Sequence, residues 1–379
     1  MEEFNTWEDI DLKLKLLRGI YAYGFEQPSA IQKKGILPFI NKKDVIAQSQ
    51  SGTGKTGAFV VSSLQIISDE PKTQIIILAP VRELAKQIKG VIDSIGHFMD
   101  VSTICLVGGS PTDIDIRRLR EKNYQFIVGC PGRIYDMLRR KCIKTEHIKC
   151  IIVDEADEML SSGFKDQVYK IFQCLNDNIQ VCLFSATMPP ELHELSEKFM
   201  RQPTKILVKQ AELTLQGISQ FFVGLGNDED KYATLKDLYA GLALSQVIIY
   251  CNSIRRVDDL YTAMKFDNFP VAKIHGGMDQ KERRDTYNGF KTGTCRVLIS
   301  TDLLARGIDV QQVGIIINFD VPKSVHTYLH RIGRSGRWGR KGVGINFTTK
   351  RDFYNLTRIK EYYSTEINEL PSNYSEFLN

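Results

Sequence analysis

The chain has 379 residues, more than one hydrophobic core usually supports, so two domains are the starting expectation. A content of 42% hydrophobic and 25% charged residues is ordinary for a soluble globular protein and excludes neither an enzyme nor a binding module. A formal net charge of only +5 excludes a strongly basic whole, so any polyanion has to be held by a local basic surface. In chain order, the N-terminal "MEEFNTWEDI" has neither the basic start nor the apolar core of a secretory signal, and no apolar run reaches the length that spans a bilayer. The eight cysteines are scattered without Cys-x-x-Cys or a histidine at zinc spacing, which points to reduced thiols. A soluble intracellular monomer with no membrane association is expected, cytoplasmic or alternatively nuclear.

Short β-branched runs then recur: "KDVIAQ", "QIIILAP", "STICLVG", "FIVGC", "CIIVDEAD", "QVCLFSAT", "QVIIYCNS", "VAKIHGG", "CRVLIST" and finally "VGIIINF". Runs this short and apolar predict strands buried on both faces, and the stretches between them, such as "RELAKQIKGVIDSIGHF" and "IRRVDDLYTAMKF", have helical spacing. Strand and helix alternating in this way predicts an α/β fold of parallel sheets with helices on both faces. The alternation pauses once, in the polar "LVKQAELTLQGISQ". A linker is therefore expected at 208–217, between a domain of residues 1–207 and a second of 218–379. Ligands of open α/β sheets sit beyond the carboxyl ends of the strands, so chemistry is expected just after each apolar run.

The first such place is "AQSQSGTGKT". Ser51, Gly52, Thr53 and Gly54 form a loop whose backbone N–H groups can close around phosphate oxygens. Lys55 can neutralise the β and γ phosphates, and the Thr56 hydroxyl can bind Mg2+. Ser49 stands where the strict pattern has glycine. After "IIV", Asp154 is placed to approach the same Mg2+, and Glu155 to orient and deprotonate an attacking water.

With "DEAD" at residues 154–157, the chain resembles the DEAD-box ATP-dependent RNA helicases. The motifs "GFEQPSAIQ", "AQSQSGTGKT", "PVRELA", "GG", "CPGR", "DEAD", "SAT", "STDLLARGID" and "HRIGRSGR" run in the family's order along nearly the whole chain. The resemblance implies two tandem RecA-like domains that bind ATP with Mg2+, and one RNA strand held by sequence-independent backbone contacts. It assigns adenine recognition to Gln32 with Phe25 packing on the ring, and the ATP ribose to Asp309. It assigns coupling of nucleotide state to RNA binding to Asp157, Ser185 and Thr187. The RNA contacts it implies are Arg82, Gly108, Gly109, Gly132, Arg133, Arg283, Thr301 and Arg306. In the basic, glycine-rich "HRIGRSGRWGRKG" it implies that Arg334 and Arg337 are catalytic arginine fingers, whereas Arg340 and Lys341 lie beyond the motif as solvated charge. Val81 and Cys130 stand where the family usually has threonine, and Gly277 where it usually has aspartate. The flanking text is similar to that of members serving translation initiation, which implies initiation scaffold and cap-binding proteins as partners. It is also similar to a nuclear member that acts as an ATP-gated RNA clamp.

Overall fold

The computed structural model describes residues 4–49, 52–161, 163–206, 218–239, 246–302, 313–335 and 342–371. The chain divides into two compact units, Met1–Val208 and Lys209–Asn379. The expected linker at 208–217 lies outside the described residues, as do Ser51, Arg306, Asp309, Arg337, Arg340 and Lys341.

In the first unit the apolar runs form β1 (Val45–Gln48), β2 (Ile75–Leu78), β3 (Thr103–Leu106), β4 (Phe126–Gly129), β5 (Cys150–Asp154), β6 (Gln180–Ser185) and β7 (Thr204–Ile206). All pair in parallel, in the order β3-β4-β2-β5-β6-β1-β7. Parallel neighbours need crossover connections, and the helices that make them cover both faces. In β2, Ile75 and Ile77 pack with Ala58 and Val61 of the helix Lys55–Ile66 and Leu84 and Ile88 of the helix Arg82–Ile95. Ile76 and Leu78 point to the opposite face, among Ile134 and Met137 of the helix Pro131–Arg139 and Ile171 of the helix Lys165–Gln173. The edge strand β3 departs from the expected double burial, since Thr103 and Cys105 are only partly covered.

The second unit contains β8 (Ile218–Gly224), β9 (Gln246–Tyr250), β10 (Val271–Ile274), β11 (Val297–Ser300), β12 (Val313–Asn318), β13 (Gly342–Thr348) and β14 (Asn368–Glu369). Their order, β10-β11-β9-β12-β13-β8-β14, repeats that of the first unit strand for strand, again in parallel. β8, β13 and β14 were not among the expected strands, and "GIIINF" is therefore not the last strand of this unit. β13 reads "GVGINFT", with glycine and asparagine breaking the apolar run, yet all seven residues are buried. Its polar side chains are satisfied internally, Asn346 Nδ2 donating to the Phe221 carbonyl at 2.9 Å and Thr348 Oγ1 to the Val223 carbonyl at 3.0 Å; on neighbouring β8, Gln220 Oε1 accepts from Tyr328 Oη at 2.9 Å. Among the described residues no helix is long and apolar enough to cross a membrane. All eight cysteines are free thiols.

Candidate active site

The sheet order sorts the first unit's motifs into two neighbouring groups. The adjacent strands β5, β6 and β1 carry, beyond their carboxyl ends, Asp154 and Glu155, the Ser185–Thr187 segment, and the glycine loop. The adjacent strands β3, β4 and β2 carry Gly108 and Gly109, the Cys130–Arg133 segment, and Arg82. Each group draws on motifs far apart in sequence.

In the first group, Gly54 precedes the helix Lys55–Ile66 with φ of 102°, and Gly52 has φ of 84°; glycine adopts this left-handed backbone without steric penalty. Lys55 is buried, its Nζ donating to the Ser49 carbonyl at 2.8 Å. The Ser49 hydroxyl lies 2.6 Å from Thr53 Oγ1, so the serine that departs from the strict pattern joins the two arms of the loop. Thr56, the second residue of that helix, is half-buried.

Asp154 and Glu155 are both buried at the end of β5. Burial, and next the neighbouring Glu155 carboxylate, push the Asp154 carboxyl up to about 7, with Lys55 opposing the shift. Glu155 itself has φ of 52°, a left-handed backbone that costs a non-glycine residue about 1 to 3 kcal/mol and is held here by the surrounding fold. Thr187 Oγ1 donates to Asp157 Oδ2 at 2.6 Å, and the Asp157 backbone N–H donates to Ser185 Oγ at 3.3 Å. The three expected coupling residues are thus in direct contact.

Gln32 reaches this loop from the helix Ala30–Ile40. Its Oε1 accepts from the Ser29 N–H at 2.7 Å and its Nε2 donates to the Gly54 carbonyl at 3.2 Å. A carboxamide can accept two and donate two hydrogen bonds, so each end retains capacity for one more partner. Gly57 allows this approach: a Cβ there would fall 2.5 Å from Gln32 Nε2 and 2.8 Å from Phe25 Cε2. Nothing in the local pattern marks Gly57, because the groups it accommodates lie more than twenty residues earlier.

In the second group, the Arg82 guanidinium lies beside Gly108, where a Cβ would be 3.5 Å from Nη2. Gly109 has φ of 88°. The Arg133 guanidinium is mostly buried, pairing with Asp115 and donating to the Ser110 carbonyl at 2.7 Å. Its charge therefore ties the segment after the glycine pair to the helix Pro131–Arg139. Asp115, which makes this possible, has no motif to announce it.

Two of the departures share a structural role: Val81 and Cys130 occupy the N-cap positions of the helices Arg82–Ile95 and Pro131–Arg139. Threonine at an N-cap can accept from a backbone N–H of the first turn, which valine cannot do and a thiol does weakly. Cys130→Thr is expected to raise stability by about 0.5 to 1 kcal/mol and to tighten RNA binding modestly. Thermal melting and RNA titration check this, and no change in either would mean the backbone already makes the contact. At the third departure, the Gly277 N–H donates to His275 Nδ1 at 3.2 Å, and a Cβ would sit 3.3 Å from that nitrogen.

In the second unit, Arg283 is buried in the helix Gln280–Lys291, whose first turn is capped by Asp279 Oδ1 accepting from the Lys281 and Glu282 N–H groups at 2.8 and 3.0 Å. Thr301 follows β11, its carbonyl accepting from Ser300 Oγ at 2.7 Å. Arg334 is buried just past the helix Val325–Ile332, its Nε donating to the His330 carbonyl at 3.2 Å. Arg331 of the same motif had no expected role, yet it bonds to four acceptors of its own domain. It is fully buried, pairs with Asp302, and donates to Asn318 Oδ1, the Asp320 carbonyl and Asn252 Oδ1 at 3.2, 2.8 and 2.7 Å.

Residues 29–195 match the DEAD/DEAH box helicase family, and residues 230–339 match the helicase conserved C-terminal domain. The chain is 50% identical over 378 residues to the ATP-dependent RNA helicase eIF4A of Phaeosphaeria nodorum, covering 100% of this chain and 95% of that protein. It is 49% identical over 374 residues to eukaryotic initiation factor 4A of Caenorhabditis elegans, covering 98% and 94%. Among solved structures, S. cerevisiae Dbp5 bound to RNA and ADP BeF3 matches with a TM-score of 0.91 and 35% identity, over 98% of this chain and 97% of that one. The chain belongs to the DEAD-box family and is an ATP-dependent RNA helicase. Its two units are tandem RecA-like domains.

Proposed function

We propose that this helicase is an RNA-stimulated ATPase that opens short RNA duplexes during cytoplasmic translation initiation, in company with initiation scaffold and cap-binding proteins. The observation that carries this reading is the full-length likeness, at about half identity, to relatives named as initiation factor 4A. The loop N–H groups and Lys55 hold the β and γ phosphates. Asp154 and Thr56 hold Mg2+, whose charge offsets that of the triphosphate. The fit is chemical: both offer hard oxygen donors, and the raised Asp154 carboxyl marks a buried negative site that a cation relieves. Glu155 accepts the proton of the attacking water. Arg334 and Arg337 stabilise charge as the phosphoryl group leaves, and Asp309 takes the ribose. Asp157, Ser185 and Thr187 link the nucleotide group of loops to the RNA-binding residues Arg82, Gly108, Gly109, Gly132, Arg133, Arg283, Thr301 and Arg306. These suit a strand read through phosphates and 2'-hydroxyls and not through bases.

Strand separation of a short RNA duplex with ATP, together with identification of what co-purifies from cytoplasm, tests the reading. ATP-dependent separation and recovery of scaffold and cap-binding proteins support it. Nuclear recovery on spliced RNA, with gripping but no separation, would replace it by the clamp.

The preference for ATP over GTP follows from Gln32, whose remaining donor and acceptor match adenine and oppose guanine. Gln32→Ala is expected to lose that preference and to weaken ATP binding tenfold or more, since a lost buried hydrogen-bonding side chain costs about 1 to 3 kcal/mol. Competition of ATP and GTP against a fluorescent nucleotide checks it; equal competition in the parent protein contradicts the assignment.

A further inference from the structure

We propose that His275 is a positioning residue for RNA binding: its imidazole, held in one tautomer, shapes the turn from which the helix carrying Arg283 starts. His275 follows β10, the edge strand of the second sheet, and is only 5% exposed. A backbone N–H can only donate, so the Gly277 N–H, 3.2 Å from His275 Nδ1, requires that nitrogen to be unprotonated. The proton of the neutral ring is then on Nε2, which donates to Asp258 Oδ1 at 3.1 Å. Asp258 lies in the helix Ile254–Phe266 and also accepts from Lys273 Nζ of β10 at 2.6 Å. The hydrogen bond from Lys273 holds the Asp258 carboxyl below its ordinary value, so an ionised acceptor faces the ring.

The two nitrogens have different tasks. Nε2 ties the end of β10 to the neighbouring helix, whereas Nδ1 accepts from the N–H two residues on, the pattern of an Asx-turn supplied here by an imidazole. Two further bonds close the same turn: the Met278 N–H donates to the His275 carbonyl at 3.3 Å, and the His275 N–H donates to Met278 Sδ at 3.4 Å. Gly277 permits the fit, since a Cβ there would press on the ring from 3.3 Å. Asp279 comes next, capping the helix Gln280–Lys291, and its carbonyl accepts from the Arg283 N–H at 3.0 Å. Arg283 therefore stands one helical turn beyond the segment that the imidazole shapes, and its direction is inherited from it. Packing alone would be met at this buried place by an apolar side chain; both ring nitrogens are engaged instead, beyond the carboxyl end of a strand, where ligands of such sheets lie. A side chain that meets a phosphate works only where the residues supporting it fix its direction.

The inference rests on reading Arg283 as an RNA contact, and Arg283→Ala tests that reading separately. Two substitutions in the full chain divide the tasks of the ring. In His275→Asn the carboxamide can accept from the Gly277 N–H as an Asx-turn and is too short to reach Asp258. In His275→Gln the amide falls near the place of Nε2 and can reach Asp258, but the Gly277 N–H loses its acceptor. Titration with a labelled single-stranded RNA in the presence of a non-hydrolysable ATP analogue, beside an RNA-stimulated ATPase assay, reads the difference. His275→Asn is expected to bind within about twofold of the parent and His275→Gln about three- to tenfold more weakly, the worth of one hydrogen bond. The loss should appear in the RNA concentration giving half-maximal hydrolysis and not in the rate at saturating RNA. Added to Arg283→Ala, His275→Gln should cost nothing further, because it acts through that arginine. Should His275→Gln not fold, His275→Leu carries the same comparison with His275→Asn. Unchanged RNA binding in Arg283→Ala would remove the RNA reading and the proposal with it. Weakened binding in Arg283→Ala, with equal affinities in His275→Asn and His275→Gln, would overturn the positioning role alone.

Discussion

Glu155→Gln is expected to bind ATP and to lose RNA-stimulated hydrolysis by a factor on the order of 10² to 10⁴, the usual contribution of a positioned general base. The amide keeps the size and backbone of glutamate, so it can hold the water but cannot take its proton. Binding should survive for an electrostatic reason. The Glu155 carboxylate is the second cause of the raised Asp154 carboxyl, after burial, and removing it eases Asp154 towards the ionised form that a cation needs. Single-turnover hydrolysis at saturating RNA, beside nucleotide titration, separates the two effects. Hydrolysis near the parent rate would show that the base lies elsewhere.

The second large effect separates two arginines three residues apart. Arg331→Ala leaves the buried Asn318 oxygen, the Asp320 carbonyl and the Asn252 oxygen without their donor, and breaks the pair with Asp302. The Asp302 carboxylate is 44% exposed and can return to water, but each acceptor left unsatisfied inside the fold costs about 1 to 3 kcal/mol, so the second domain should melt below the parent. Arg334 donates to the His330 carbonyl one helical turn back, within its own segment, and is proposed to act on the nucleotide. Arg334→Ala should therefore melt near the parent and lose hydrolysis by about 10³ or more, the range of arginine fingers in related phosphoryl transfers. Circular dichroism melting and an ATPase assay on both variants give opposite patterns on this view. Equal melting with equal loss of rate would mean both arginines do the same work.

The ten expected strand runs all appear as strands, because continuous β-branched residues suit positions covered on both faces and little else. The glycine loop and the acidic pair after β5 were equally legible, since their chemistry lies within a few consecutive residues. β8 and β13 escaped because Gln220, Gly344 and Asn346 interrupt the apolar pattern, and only tertiary partners make those polar groups compatible with burial. Arg331 escaped for a related reason. A basic residue in a basic run has the same local pattern whether it faces water or four acceptors of its own domain.

Local order alone thus determined the fold class, the candidate phosphate loop and the inventory of candidate contacts, since each depends on residues within one strand and the turn that follows it. Strand order was decided only by the tertiary structure. Adjacency of β5, β6 and β1, and of β3, β4 and β2, gathers motifs scattered over more than a hundred residues into two groups on one sheet edge, the one proposed for nucleotide and the other for RNA. The same order is repeated strand for strand in the second domain. Spacing along the chain cannot carry that information, because parallel strands are paired by crossovers whose lengths leave their neighbours unspecified.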